Sequence, residues 1–589
     1  MKKIAAVLFL LLALYGNSQY VISDGSELLA LQRTPLERVF MHHTGAVLFP
    51  GEYLNYSIHV MNAQSGRTST ISKIAYVLLV DKDGDIMFEH KLKLEKGMAE
   101  GDFFIPSELR SGNYKLIAYT NWIRNAGIDQ FFQDDVVIIN PYLANQSEFL
   151  GQNGEPSNMD ADLRTIVSDS ATLELQTDKV NYGTRALVKL SLKNYKSYLG
   201  NGTYHISVSK KNDFTKKGAK RAVVDARNAP KLKKAIDQKV GDSIFLPEQR
   251  GELIFGRVFD KEDGKPVPNI TTVITMPGQE FLLKFANTNE SGTFYSYLRK
   301  DYKVPTPIVQ PLNDSLSVDL VMGAKNPPEL ESLTFRAYNF SSDFKDLILE
   351  RSIQNQVENQ FFKAKPDSIL LKDPIDSFDG GIPETVLLDE YTRFPTLEET
   401  LVEIVENVGF RRNSKYGHFI RVAQDFERYD EDFNSFPSIV LIDGVFIPNP
   451  KTIRDFDATL IERIRVVRDQ FQMGGGMYQG IVSIETFDND FYETYEGKNM
   501  SRSDLKPLFP VKNYFKQKYD EPNNVGLDRI PDYRRVLFWQ PNIVVDGNNY
   551  EYEFFTSDLS GDFEIVLEGY TTYGKPISLK KTISVGLEP

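Results

Sequence analysis

Hydrophobic residues in this chain gather in short runs rich in aromatic and β-branched side chains, separated by glycine, proline and aspartate. Tyr53–Val60, Ile74–Val80 and Tyr114–Tyr119 are such runs, with turn signals at Pro50-Gly51, Asp83-Gly84 and Ser111-Gly112-Asn113. Spacing of this kind predicts antiparallel strands, and a β-sandwich is the economical way to bury them over 30–142. The pattern returns weakly over 165–245, where Leu173-Glu174-Leu175, Ala186–Leu192 and His205–Ser209 read as strands. It returns clearly over 250–325, with Leu253–Val258, Ile270–Thr275 and Thr293-Phe294-Tyr295. The tail, 530–589, carries five more runs from Val536–Trp539 to Ile577–Ser584, with turns at Asp546-Gly547, Ser560-Gly561 and Gly574-Lys575-Pro576. It is expected to form a separate Ig-like sandwich.

Two segments depart from this pattern. Ser341–Lys363 has helical spacing, with Ser341 or Ser342 as cap and a sparse apolar stripe of Phe344, Leu347, Ile348, Val357 and Phe361. A Pro/Asp/Gly-containing linker then completes 341–383. Residues 384–490 mix helix and strand. Thr396-Leu397-Glu398-Glu399 is a capping box, followed by Leu401, Ile404, Val405 and Val408. Ser438–Ile442 reads as a buried strand, Asp443-Gly444 as a hairpin turn, and Ile461–Val467 and Ile481–Thr486 as further strands on either side of Gly474-Gly475-Gly476.

Several of these segments resemble known modules. Phe49-Pro50-Gly51-Glu52, Asp81-Lys82-Asp83-Gly84-Asp85 and GNYKLIAYTNW at Gly112–Trp122 resemble the second macroglobulin-type (MG2) domain of the macroglobulin family, and 165–245 is similar to another macroglobulin-like sandwich. GRVFDKEDGKPVPNITTVI with TNESGTFYSYL resembles a carboxypeptidase-regulatory-like domain, a name that implies no peptidase activity. IVLIDGVFI, LIERIRVVRD and GGGMYQGIVSIETF resemble, in order, the plug domain of TonB-dependent receptors. The combination resembles Bacteroidota envelope proteins. It implies a mainly β fold: tandem Ig/macroglobulin-like sandwiches, an α/β plug-like domain and a C-terminal β-sandwich. About 100 residues follow the plug-like region, too few for the many strands of a receptor barrel. Macroglobulin thioester chemistry is excluded because the chain has no cysteine.

The absence of cysteine also excludes disulfides, thiolate metal sites and an N-terminal lipid anchor. Lys2 and Lys3, the apolar run Ile4–Tyr15 and the small residues Gly16 and Ser18 predict a signal peptide over 1–18. That run falls short of the ~20 residues that span hydrocarbon. The net charge of −13 argues against nucleic acid. One basic stretch, from Lys216 and Lys217 through Arg221, Arg227, Lys231 and Lys234 to Lys239, reads as a solvated loop. Asp-Ser-Ala/Ile/Leu triplets at 169, 242, 314 and 367 resemble the envelope O-glycosylation sequon.

No constellation of catalytic residues emerges. His42-His43 is the single histidine cluster, and neighbours on a strand point to opposite faces. The remaining histidines, His59, His90, His205 and His418, show no ligand spacing, so no metal is assigned. In the 81–85 run, Ile86 and Leu92 stand where an EF-hand needs glycine and an acid. Gly474-Gly475-Gly476 lacks the lysine of a phosphate loop.

The expected function is therefore non-catalytic and cofactor-free. The chain would be an exported accessory or scaffold protein, outer-membrane-associated on the periplasmic or cell-surface side. It would bind an outer-membrane β-barrel or TonB-dependent-receptor-type complex, with Asp443, Gly444, Gly474, Gly475, Gly476, Tyr478 and Gly480 as candidate partner-binding residues. The alternative is a glycan- or peptide-binding protein that delivers ligand to such a receptor. With 29 tyrosines but only Trp122 and Trp539, the sequence displays no aromatic platform.

Overall fold

The computed structural model describes residues 20–143, 172–211, 214, 233–324, 326–335, 344–370, 374–424, 436–519 and 529–586. The expected signal peptide, the Ser341/Ser342 cap and most of the basic stretch lie outside them. The fold is mainly β and divides into two units, one built from 19–249, 327–371 and 508–589, the other from 250–326 and 372–507.

The larger unit begins with the sandwich expected over 30–142. The strands Glu37–His43, Tyr53–Asn62 and Met98–Phe104 form one antiparallel sheet. Val47–Leu48, Phe132–Ile138, Gly112–Tyr119, Ile74–Val80 and Ile86–Lys93 form the other. Between them lie Leu54, Tyr56, Ile58, Val60, Val77, Leu79, Leu116 and Val136, all fully buried. Alternation along each strand supplies this face. The 81–85 run is a hairpin turn in which Asp81 Oδ1 accepts from the backbone N–H of Asp83 and of Asp85.

The second sandwich differs from expectation. Leu173–Thr177, Leu187–Asn194 and Asn549–Phe555 form one sheet. The other runs Asn181–Tyr182, Pro576–Val585, Gly561–Thr571, Gly202–Lys210, Val536–Val545. Within the segments expected as separate domains, 165–245 and 530–589, the strands from Leu173 to Lys210 and from Val536 to Val585 are thus two halves of one sandwich, whereas Ser243–Ile244 pairs with Tyr20–Val21. Leu190 pairs with Tyr552, and His205 with Glu568. Neither half has enough strands to cover its own apolar face. Together they bury Leu190, Tyr204, Ile206, Phe563, Ile565, Leu567 and Ile583 in one core. Arg185 and Asp558, 373 positions apart, close the seam with Nε–Oδ1 and Nη2–Oδ2 bonds of 2.6 and 2.7 Å.

The helix Lys345–Gln360 packs on the first sandwich. Phe344, Leu347 and Ile348 meet Val47, Phe49, Val137 and Ile139. Its deepest residues are polar, Arg351, Ser352 and Asn355.

In the smaller unit, Thr293–Leu298, Glu252–Asp260 and Val318–Met322 face Leu282–Asn287, Thr271–Met276, Ile308–Pro311 and Ser501–Arg502. The 384–490 region forms a mixed sheet ordered Glu384–Leu387, Ile461–Met473, Gly476–Thr486, Ile439–Ile442, Val445–Phe446, with Ile439–Ile442 parallel to Gly476–Thr486. The helix Leu397–Glu403, opened by the Thr396/Glu399 capping box, covers one face. The other face packs Ile439, Leu441, Val467 and Ile481 against Val273 and Phe281.

The shared sandwich sets an expectation for exchange. Phe563→Ala, deep in its core, should destabilise by ~3–5 kcal/mol. Hydrogen-exchange protection should fall in Leu187–Asn194 and Gly202–Lys210 together with the tail. Loss confined to 529–586 would mean that the tail folds by itself.

Candidate functional site

The first candidate is the region around Asp443 and the triple glycine. Asp443 (φ +46°) and Gly444 (φ +78°) form the tight turn between Ile439–Ile442 and Val445–Phe446, both left-handed as a primed hairpin turn requires. The buried Asp443 carboxylate accepts from Thr486 N at 2.8 Å, Thr486 Oγ1 at 2.6 Å and Phe491 N at 3.1 Å. Burial pushes its pKa up, against these bonds. A Cβ on Gly444 would meet Phe281 Cβ at 2.5 Å.

Gly474 and Gly475 turn the Ile461–Met473 strand into Gly476–Thr486, and Gly476 opens the latter. Gly480 sits at an irregularity in that pairing, where a Cβ would lie 2.7 Å from Val467 O. Tyr478 is buried beside Phe285, with ring centroids 6.2 Å apart. The structure therefore places these residues in turns and packing. At Gly475 alone of the five glycines would an added Cβ meet nothing.

The accessible feature of this region is the sheet edge. Glu384–Leu387 is the outermost strand, and among the described residues its outer side pairs with nothing. Ile382 beside it is 86% exposed, and Leu387 and Tyr391 are exposed too. Glu384 is bound to Arg468 through Oε1 and Oε2 at 2.9 and 3.0 Å. Sequence reading passed over this strand because ETVL carries no turn or motif signal.

In the larger unit, the Phe49-Pro50-Gly51-Glu52 turn does more than reverse the chain. Gly51 (φ +87°) brings its backbone against the helix, where a Cβ would strike Asn359 Nδ2 at 2.1 Å. Glu52 then receives Arg351 Nε and Nη2, both at 2.7 Å, and Asn355 Nδ2 at 3.0 Å. Burial opposes ionisation of Glu52, but the Arg351 charge and these bonds hold its pKa below the usual carboxylate range. The guanidinium also lies 4.4 Å from the Phe49 ring centroid. Beside this pair is a cavity of about 280 Å³, lined among others by Tyr53, Asn359, Phe362, Lys516 and Trp539.

A second buried polar group lies between the two sandwiches. His42 Nδ1 is 2.8 Å from Glu568 Oε2, and its Nε2 is 3.0 Å from Ser207 Oγ. His205 Nε2 lies 3.7 Å from the same Oε2, and Ser578 Oγ donates to Oε1 at 3.1 Å. The His42 and His205 rings stack at 3.8 Å and 26°, and Trp539 stacks on His42 at 5.8 Å. Burial alone would raise the Glu568 pKa; hydrogen bonds from His205 and His42, and their charge, hold it well below the ordinary value. Two histidines and a carboxylate are metal-type donors. A metal, however, lies in the plane of each imidazole about 2 Å from nitrogen, and rings stacked this closely cannot share one.

His43, on the opposite face of the strand as its neighbour position requires, lies 3.0 Å from Asp134 Oδ2. The sequence hid the His42–His205–Glu568 group because its members are local to nothing but the tertiary fold.

No family model matches the sequence, and no curated protein does. Among solved structures, a Salmonella alpha-2-macroglobulin mutant aligns with 9% identity over 96% of this chain and 41% of its own, at a TM-score of 0.23. Trypsin-activated alpha-2-macroglobulin from Escherichia coli aligns with 10% identity over 94% and 42%, also at 0.23. The chain thus spans about two-fifths of the length of these structures. The class defined by the fold itself is a mainly β protein of stacked sandwiches with one mixed α/β sheet.

Removing one partner of the buried Glu52–Arg351 pair strands the other charge. Arg351→Met should cost ~3–5 kcal/mol, measured by urea denaturation. The double variant with Glu52→Gln should recover part of that loss. A cost below ~1 kcal/mol would show that the pair is effectively solvated.

Proposed function

We propose that the protein is a non-catalytic, exported accessory or scaffold protein that binds an outer-membrane barrel or transport/assembly complex through its plug-like and β-sandwich modules. The observation that carries this reading is the free edge at Glu384–Leu387. Exposed strand edges template pairing with another chain, and native proteins ordinarily cover or charge them. Here the edge keeps exposed aliphatic side chains at Ile382 and Leu387. A partner strand added there would gain main-chain hydrogen bonds, with alternate side chains giving specificity. The resemblance of 384–490 to a receptor plug supplies the class of partner. It does so without the residues first singled out, whose side chains serve the turn and the core.

A second reading has its own support. The cavity beside Glu52 and Arg351 has room for one small molecule and offers aromatic rings and a lysine. It suits a surface or periplasmic protein that holds a glycan or peptide group for delivery to a receptor.

Crosslinking mass spectrometry on native protein from detergent-solubilised outer membranes should recover a barrel protein crosslinked to 384–490. Ile382→Asp with Leu387→Asp should abolish that crosslink while leaving far-UV circular dichroism unchanged. A monomer in the soluble periplasmic fraction, or a crosslink that survives both substitutions, would overturn the docking reading. The cavity reading predicts a thermal shift with a glycan or peptide fragment, lost in Trp539→Ala.

A further inference from the structure

We propose that the cavity beside Glu52 and Arg351 selects a carboxylate-bearing ligand the size of a sugar ring or an amino-acid residue, bound by the Lys516 ammonium at the cavity mouth. The proposal rests on the ligand-holding reading of this cavity and names the chemistry it prefers.

The chain as a whole carries a net charge of −13, yet around the cavity the balance reverses. Six basic residues line it against four acidic ones. A concave, low-dielectric wall focuses such a field and attracts anions. Most of these charges are already matched within the protein. Arg351 is held by Glu52. Lys365 Nζ lies 2.5 Å from Glu358 Oε1 and 3.6 Å from Asp532 Oδ1. Arg534 is bidentate on Asp532, both bonds at 2.7 Å. Arg535 adds its charge near Glu52, and the Lys210 ammonium lies beside Gly561. On the acidic side, Glu358 Oε2 accepts from Tyr533 N and Asp367 Oδ1 from Phe515 N, both at 2.8 Å. Glu553 is exposed, 3.9 Å from Lys189 Nζ.

Lys516 is the exception. It is exposed and lines the cavity, which places it at the mouth. Among the described residues no carboxylate pairs with it. Gln540 Oε1 accepts from its Nζ at 2.8 Å, and Nζ lies 5.4 Å from the Phe538 ring centroid. An ammonium has three N–H donors, so two remain for a ligand, on a group that the Gln540 and Phe538 contacts already position. Partial burial pushes the Lys516 pKa down, the effect of desolvating a cation with no counter-charge at hand. A bound carboxylate supplies that counter-charge.

The rest of the wall fixes what the carboxylate is attached to. The Tyr53 and Phe362 rings stack at 6.2 Å and 14°, and Phe362 is 46% exposed. Such ring faces suit the apolar side of a sugar or an amino-acid side chain. The volume of about 280 Å³ holds a body of that size. A uronic acid and the last residue of a peptide share this chemistry, a carboxylate on a compact body.

Isothermal titration calorimetry on the full chain compares galacturonate with galactose, and N-acetylphenylalanine with its amide. Each pair differs by a single charge. In at least one pair the acid should bind the wild-type protein about tenfold tighter than its neutral partner, the size of one charge-assisted hydrogen bond. Which pair shows the preference identifies the source as glycan or peptide. Lys516→Gln should bring the two affinities of that pair together, and Lys516→Arg should keep them apart. Because Lys516 is exposed, both variants should fold, as far-UV circular dichroism will check. Equal wild-type affinity for acid and neutral partner would overturn the carboxylate proposal and leave the ligand-holding reading standing. An acid preference that survives Lys516→Gln would also sink it. Binding of none of the four compounds would remove the ligand-holding reading along with it.

Discussion

Closure of the second sandwich by the end of the chain is the constraint on which the larger unit depends. Gly202–Lys210 hydrogen-bonds on both sides to strands from the tail, so neither its core nor the junction surface exists until the tail arrives. Loop-closure entropy grows only logarithmically with length. Closing hundreds of residues rather than ten costs about 3 kcal/mol more. The apolar side chains sealed between the two sheets outweigh that. The penalty falls on kinetics, because non-local β-pairing is slow.

Three buried or half-buried carboxylates follow one rule. Glu52 meets Arg351 and Asn355, Asp443 caps two backbone amides and a hydroxyl, and Glu568 takes His42 and Ser578. Each carboxylate fixes a geometry that apolar packing would leave loose: the seating of the helix, the turn of the plug-like sheet and the register of sandwich on sandwich. Satisfied buried networks specify a unique arrangement and make its disruption costly. The junction differs from the other two in that its carboxylate faces imidazole rings.

The two functional readings live on different surfaces. Docking uses a strand edge in the smaller unit, and ligand holding uses a cavity in the larger one. Neither uses the glycines and Asp443 that motif resemblance singled out, because motif residues in β-folds mark where the chain must turn. The side chains that meet a partner are those that folding leaves over, such as Ile382.

Much of the fold was legible by itself. Strand positions, the Asp81–Asp85 hairpin, the Thr396 capping box and the Asp443-Gly444 turn follow from alternation, φ preference and capping chemistry, all of which act within a few residues. The sequence alone also determined that no disulfide or thioester exists and that adjacent His42 and His43 face opposite ways. What the tertiary structure decided was pairing at a distance: that the strands from Leu173 to Lys210 and from Val536 to Val585 form one sandwich, that Glu52 belongs to Arg351, and that His42 finds His205 and Glu568. Alternation tells a strand which face to bury. It carries no information about which other strand will cover that face, since any apolar surface of the right length satisfies it.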